Sequence, residues 1–126
     1  MTKKVYNHDD GVRLARYRDE FEHASVFGLW RKCIWRSHEI PPEVETPRVY
    51  AIFSYGYHFP MYVYDEESGQ WLGNSDKYSR TTTSHQSKYR PSEVAKWFGT
   101  AELKAIVDCG LVGYITNRME QGLPVS

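Results

Sequence analysis

The sharpest pattern in the chain is an alternation with period two. In Arg48 to Tyr55, Val49, Ala51 and Phe53 fall on one side of an extended strand, with Tyr50, Ile52 and Ser54 on the other. Phe59 to Tyr64 reads as a second strand. The polar Asp65-Glu66-Glu67-Ser68-Gly69 suits a four- or five-residue hairpin loop, and Gln70 to Leu72 then pairs back. Gly56 permits a bend between the first two strands. The spacing predicts an antiparallel meander over about residues 48–73.

Either side of this stretch the period changes. Leu14, Tyr17, Phe21 and Ala24 recur at offsets of three and four, which predicts a helical face, with Asp9 or Asp10 as N-cap and Gly11 opening the helix. Val26 to Arg36 has little periodicity, but its β-branched and aromatic content favours strand. Pro41, Pro42 and Pro47 make residues 37–47 a loop, because proline fixes φ and removes a donor. Pro91-Ser92-Glu93 is expected to open a short helix burying Val94, Trp97 and Phe98. Thr100 then caps a helix over Ala101–Cys109 that buries Leu103, Ile106 and Val107, and Gly110 stops it. Leu111 to Glu120 is a last element, helix or strand. Residues 1–10 read as a loose arm or short edge strand, and 121–126 as a loose tail. The expected architecture is therefore α+β: a small antiparallel sheet packed with an N-terminal helix and two or three C-terminal helices.

Length and charge narrow the classes. At 126 residues the chain is expected to form a single domain spanning 1–126. Ten Tyr and four Trp either fill a small core with rings or present some of them as a binding surface. Sixteen cationic residues balance sixteen acidic ones, which counts against a dedicated duplex-DNA binder. Cys33 and Cys109 have no metal-ligand spacing, and a reduced intracellular setting fits them better than a disulfide scaffold. The N-terminal residues carry no apolar leader run, and no stretch approaches the ~18 apolar residues of a membrane span. The expected location is the cytoplasm, with no membrane partner.

The chemistry-bearing groups concentrate between residues 54 and 91. Lys77 to Arg90 has no apolar run and reads as a loop with Lys77, Arg80, Lys88 and Arg90 and no acid. Ser79, Thr81, Thr82, Thr83, Ser84 and Ser87 offer hydroxyls among these cations, a composition suited to cradling an anion. Tyr57, Tyr78 and Tyr89 could stack on bases. His58 and His85 are the candidates for a general acid and base flanking a phosphodiester, with Lys77, Arg80 or Lys88 meeting the developing charge. His8, His23, His38, Cys33 and Cys109 are scattered, so no metal and no cofactor is expected. No phosphate-binding, dinucleotide, nucleophile-elbow or zincin motif occurs. The acidic turn 65–67 beside a basic loop suits a protein partner with a patterned surface.

Ser54-Tyr55-Gly56-Tyr57-His58-Phe59-Pro60, then Trp71, then Asp76-Lys77-Tyr78-Ser79-Arg80-Thr81-Thr82-Thr83-Ser84-His85-Gln86-Ser87, resemble a small domain of unknown function found in bacteriophage and mobile-element proteins. Its pattern is S-Y-G-x-H-F-P followed by K-Y-S-x-T-T-S-x-H-Q-S, from which Thr83-Ser84 departs by an extra Thr. The likeness covers about a third of the chain. It implies a phage-borne protein acting in bacterial cytoplasm, with flanking helices added to a shared β core, and it implies no activity.

The leading expectation is thus a non-enzymatic phage accessory protein, such as a defence-system inhibitor. It binds a host or phage macromolecule, a protein first and nucleic acid second, through Tyr57, His58, Lys77, Tyr78, Arg80, Thr82, His85, Lys88, Tyr89 and Arg90. The alternative is a nucleic-acid or nucleotide binder, or a metal-independent phosphodiesterase using His58 and His85. The oligomeric state is left open.

Overall fold

The computed structural model describes residues 2–33, 48–77 and 80–122. Its elements are β1 (Lys3–Lys4), α1 (His8–Arg16), β2 (Phe21–His23), β3 (Val26–Lys32), β4 (Arg48–Ser54), β5 (Pro60–Asp65), β6 (Gln70–Asn74), α2 (Arg80–Tyr89), β7 (Lys96–Phe98) and α3 (Thr100–Glu120). The fold class is α+β. The seven strands form one sheet in sequence order; β2 to β6 pair antiparallel, and the edge strands β1 and β7 pair parallel to β2 and β6. No helix among the described residues is long and apolar enough to cross a membrane.

The predicted alternation over residues 49–54 sorts two cores onto opposite faces of the sheet. Val49, Ala51 and Phe53 pack with Val63, Leu72, Leu103, Ile106, Val107 and Leu111, so α3 covers their face. Tyr50 and Ile52 pack with Phe21, Met61, Tyr62, Ala15 and Tyr89, under α1 and α2. Both faces being covered explains why all of Val49–Ser54 is buried.

Several expectations give way. The first helix begins earlier and stops at Arg16. Its N-cap is Asn7, whose side-chain oxygen accepts from the Asp10 N–H at 2.8 Å, so Asp9 and Asp10 lie in its first turn instead. The Arg18 and Asp19 N–H groups close the helix on the Ala15 and Leu14 carbonyls, with Arg18 in the left-handed region at φ 56°. Phe21 consequently belongs to β2, where it is fully buried. Within the segment expected as arm or edge strand, Lys3–Lys4 is an edge strand and α1 starts at His8. The proline-rich loop 37–47 lies outside the described residues, as do 123–126 of the tail.

The helix expected after Pro91 is strand β7. The edge of β6 offers ladder bonds to this segment: the Ala95 N–H bonds the Trp71 carbonyl at 2.8 Å, and Leu72 to Asn74 pair with Lys96 to Phe98. Alternation then buries Phe98 and leaves Trp97 43% exposed, so Trp97 is not the core residue its spacing suggested.

The predicted stop at Gly110 is a break between two helical halves, and the last element, expected as helix or strand, is helix. Gly110 takes φ 78°, ψ 165°, a break inside α3 that a side chain would strain. The second half restarts because the buried carboxylate of Asp65, at the end of β5, accepts from the Leu111 N–H at 3.2 Å and acts as an N-cap supplied by the sheet. At the other end, Asp76 accepts from the Thr100 N–H at 2.8 Å, which holds its carboxyl below the usual carboxylate range. Thr100 is therefore the first residue of the helix and Gly99 its N-cap.

Candidate functional site

The segment expected as a basic loop is helical over Arg80–Tyr89. Its sequence is weak helix-forming material: three threonines in succession and no acid in the first turn. Tertiary bonds hold it instead. The Tyr62 hydroxyl donates to the Gln86 carbonyl, and the Gln86 side-chain amide donates to the Asn74 and Asp76 carbonyls at 3.1 and 3.2 Å. Thr82, His85, Gln86 and Tyr89 form its buried face.

The predicted site residues are consequently divided. Thr82, His85 and Tyr89 are inside, while Arg80, Lys88 and Arg90 remain exposed, as does Lys77 ahead of the helix. Tyr78 is outside the described residues. Tyr57 and His58 are exposed on the β4–β5 connection. Tyr57 belongs to the α3 side: its ring packs edge-on to Phe27 and Phe53 at 5.1 and 5.3 Å, under the Arg31 guanidinium. A small cavity of about 130 Å³ beside it is lined also by Lys104, Val107 and Asp108.

His85 gathers a different set of neighbours. Its Nδ1 lies 2.9 Å from the Ser54 hydroxyl, and the exposed Tyr55 ring lies 5.8 Å away. The His8 ring sits 5.4 Å from it and 4.6 Å from the His23 ring. His23 donates from Nδ1 to the Val5 carbonyl at 2.9 Å, which fixes its tautomer. His8 Nδ1 pairs with the Tyr89 hydroxyl at 3.0 Å; burial pushes that phenol up to about 12, so it stays protonated at neutral pH. Three imidazoles from α1, β2 and α2 thus meet where the sequence places them far apart. No spacing rule links residues 8, 23 and 85, so nothing in the sequence signalled the cluster.

Electrostatics favour the neutral forms of His8 and His85. Burial lowers the pKa of His85, and Lys88 and His23 lower it further. His8 is lowered by burial, then by Lys88, His23 and His85, with Asp9 opposing. A neutral His85 is in the state of a base, and not of the acid that the two-histidine phosphodiester chemistry asks of one imidazole. Among the described residues no group of three or more His, Cys, Asp or Glu is arranged to hold a metal ion.

Beside the histidines, α1 and α2 enclose a trough. One cavity of about 440 Å³ is lined by Val12, Ala15, Arg16, Arg18, Ile52, Trp71, Tyr89, Arg90, Pro91 and Ser92. A second of about 520 Å³ is lined by Asn7, His8, Asp9, Val12, Arg13, Arg16 and Lys88. Val12 and Arg16 form walls of both. Sequence reasoning found Lys88, Tyr89 and Arg90 but missed the α1 side, Arg13, Arg16 and Arg18, which reads as the solvated face of an amphipathic helix.

Two of these cations are already engaged: Arg13 pairs with Asp10 at 3.1 Å, and the Arg18 guanidinium lies 4.4 Å over the Tyr64 ring. Arg90 sits 5.2 Å over Trp97. Arg16 and Lys88 make no ion pair among the described residues. The trough therefore carries five cations and one lining carboxylate, Asp9, in a chain of zero net charge.

Compared with protein-family models, curated proteins and solved structures, the chain finds no match.

Proposed function

We propose that the protein is a non-catalytic binding protein that takes a phosphate-bearing partner in the trough between α1 and α2. The carrying observation is the convergence of Arg13, Arg16 and Arg18 from the first helix and turn with Lys88 and Arg90 from the second, around two cavities that share Val12 and Arg16. Cations beyond those needed for solubility, segregated along one concavity, raise the local potential for an anion. Exposed Tyr55 and Trp97 stand on the same side of the molecule, beside His85 and Arg90 respectively. In this reading the resemblance to phage-borne domains makes the setting a bacterial host and the role that of an accessory factor, such as a defence inhibitor acting on a nucleic-acid-containing complex.

The test is binding of a fluorescent oligonucleotide across a salt series. Affinity should fall as salt rises, and Arg16→Ala and Lys88→Ala should each weaken binding and reduce the slope of log K against log salt by about 1. Absence of binding at low salt, or wild-type affinity in both variants, would exclude the trough. A protein partner captured independently of Arg16 and Lys88, but lost in Tyr57→Ala, would move the site to the β4–β5 connection.

A further inference from the structure

We infer that the trough accommodates a whole nucleotide unit, with the base against Trp71 in one lobe and the phosphate among Arg13, Arg16 and Lys88 in the other. This rests on the proposed binding of a phosphate-bearing partner and adds what else that partner carries. The two lobes differ in chemistry. The first has a buried floor of Ile52, Ala15 and Tyr89 and one half-buried aromatic wall, Trp71, and is lined also by Val12, Arg18 and Arg90. The second is polar, lined by Asn7, His8, Asp9 and Arg13 at the start of α1 and by Lys88 of α2. Arg16 belongs to both lobes and so stands where a sugar would join base to phosphate.

Size and charge fit. At about 440 and 520 Å³ each lobe lies within the ~300–1,000 Å³ range of small-molecule sites, and neither is a closed slot. A simple inorganic anion needs no aromatic wall. An apolar ligand gains nothing from five cations. A nucleotide has both a stacking face and a charge, and base stacking on aromatic side chains tolerates any sequence. In a duplex the base faces are already stacked, so the unit comes from a single strand or a free nucleotide.

Binding of a thymidine decamer, an abasic deoxyribose-phosphate decamer and a duplex of equal length should be compared by anisotropy on the wild-type chain. The thymidine strand should bind about ten-fold or more tightly than either of the others, from the stacking contribution of even one base. Intrinsic tryptophan fluorescence should be quenched on binding, and the quench should be lost in Trp71→Phe, a variant chosen to retain the packing against Tyr50 and Tyr64. Thymidine monophosphate then identifies the source. Competition at a concentration comparable to the decamer's, counted per nucleotide, marks a free nucleotide, and competition only far above it marks a strand. Equal affinity for the abasic and thymidine strands would overturn the base lobe while leaving backbone binding intact. So would a quench that persists in Trp71→Phe. If none of the ligands binds, the proposed function itself falls.

Discussion

The two faces of the sheet are built from different materials. On the α3 face the residues are mostly aliphatic, Val49, Ala51, Val63, Leu72, Leu103, Ile106, Val107 and Leu111, with Phe53, Phe98 and Tyr114 among them. On the α1/α2 face the residues are Tyr50, Tyr62, Tyr89, Phe21 and Met61, and each tyrosine hydroxyl is used. Tyr50 donates to the Asp19 carbonyl at 2.6 Å, Tyr62 to the Gln86 carbonyl, and Tyr89 pairs with His8. The first half of α3 is held chiefly by the packing of Leu103, Ile106 and Val107. A helix with poor propensity, such as α2, is fixed by hydrogen bonds reaching up from the sheet. Those bonds leave its other side free to carry Lys88 and to wall the trough. One face is covered by a helix of apolar periodicity, and the other by helices that carry the trough's cations.

Four measurements would break or sharpen that contrast. The largest effect should come from Leu103→Ala, which empties a fully buried position on the α3 face. A cost of about 2–5 kcal/mol in urea denaturation is expected, with oligonucleotide affinity unchanged in the folded fraction. A weakened affinity would mean the two faces are coupled.

Gly11→Ala probes the other face. Alanine is favoured over glycine in a helix by ~1 kcal/mol, yet its Cβ would sit 2.5 Å from the Tyr89 hydroxyl oxygen and 3.1 Å from the Phe21 ring. Overpacking of that kind costs about 1–3 kcal/mol, so the variant should be less stable despite its better propensity. A rise in melting temperature would show that Tyr89 can move aside and that its bond to His8 is dispensable.

Trp97→Ala should cost about 1 kcal/mol, as its exposed ring loses the Arg90 guanidinium and its cover over Gly73. A loss of several kcal/mol would place the ring in the core after all.

The smallest effect is a pH dependence. His8 and His85 have folded pKa values below the unfolded 6.5, chiefly because burial disfavours their charged forms. The unfolded chain therefore binds these protons more readily. Their contribution is fully present above pH 6.5 and is lost as pH falls toward the folded values. Melting temperature should decline between pH 6.5 and 5, above the range where most carboxylates titrate, and His85→Asn should flatten the decline. An unchanged slope in that variant would mean the cluster is solvated.

Parts of this architecture were legible from residue patterns. The meander needed only the alternation of β4 and a polar hairpin loop, and the first half of α3 needed only Leu103, Ile106 and Val107 at helical spacing. The candidate site was half visible: the segment 77–90 was identified, but as a loop whose whole length was surface. Thr82, His85, Gln86 and Tyr89 stand at i, i+3, i+4 and i+7, a helical stripe. It escaped notice because periodicity is sought in apolar residues, and these four are mostly polar. What buries them is the Ser54 hydroxyl, the Tyr62 hydroxyl and the Asn74 carbonyl, acceptors and donors that exist only once β4, β5 and β6 have paired.

The chain by itself determined the meander and the first half of α3, because the hydrophobic effect acts on local period and needs no particular partner. Tertiary structure alone decided the rest. It turned Lys96–Phe98 into a strand by offering a free sheet edge, restarted α3 after Gly110 through Asp65, and brought His8, His23 and His85 together with the cations of α1 and α2. Each of those outcomes rests on a directional hydrogen bond or a charge, and such groups acquire their partners only when distant segments have been fixed in place.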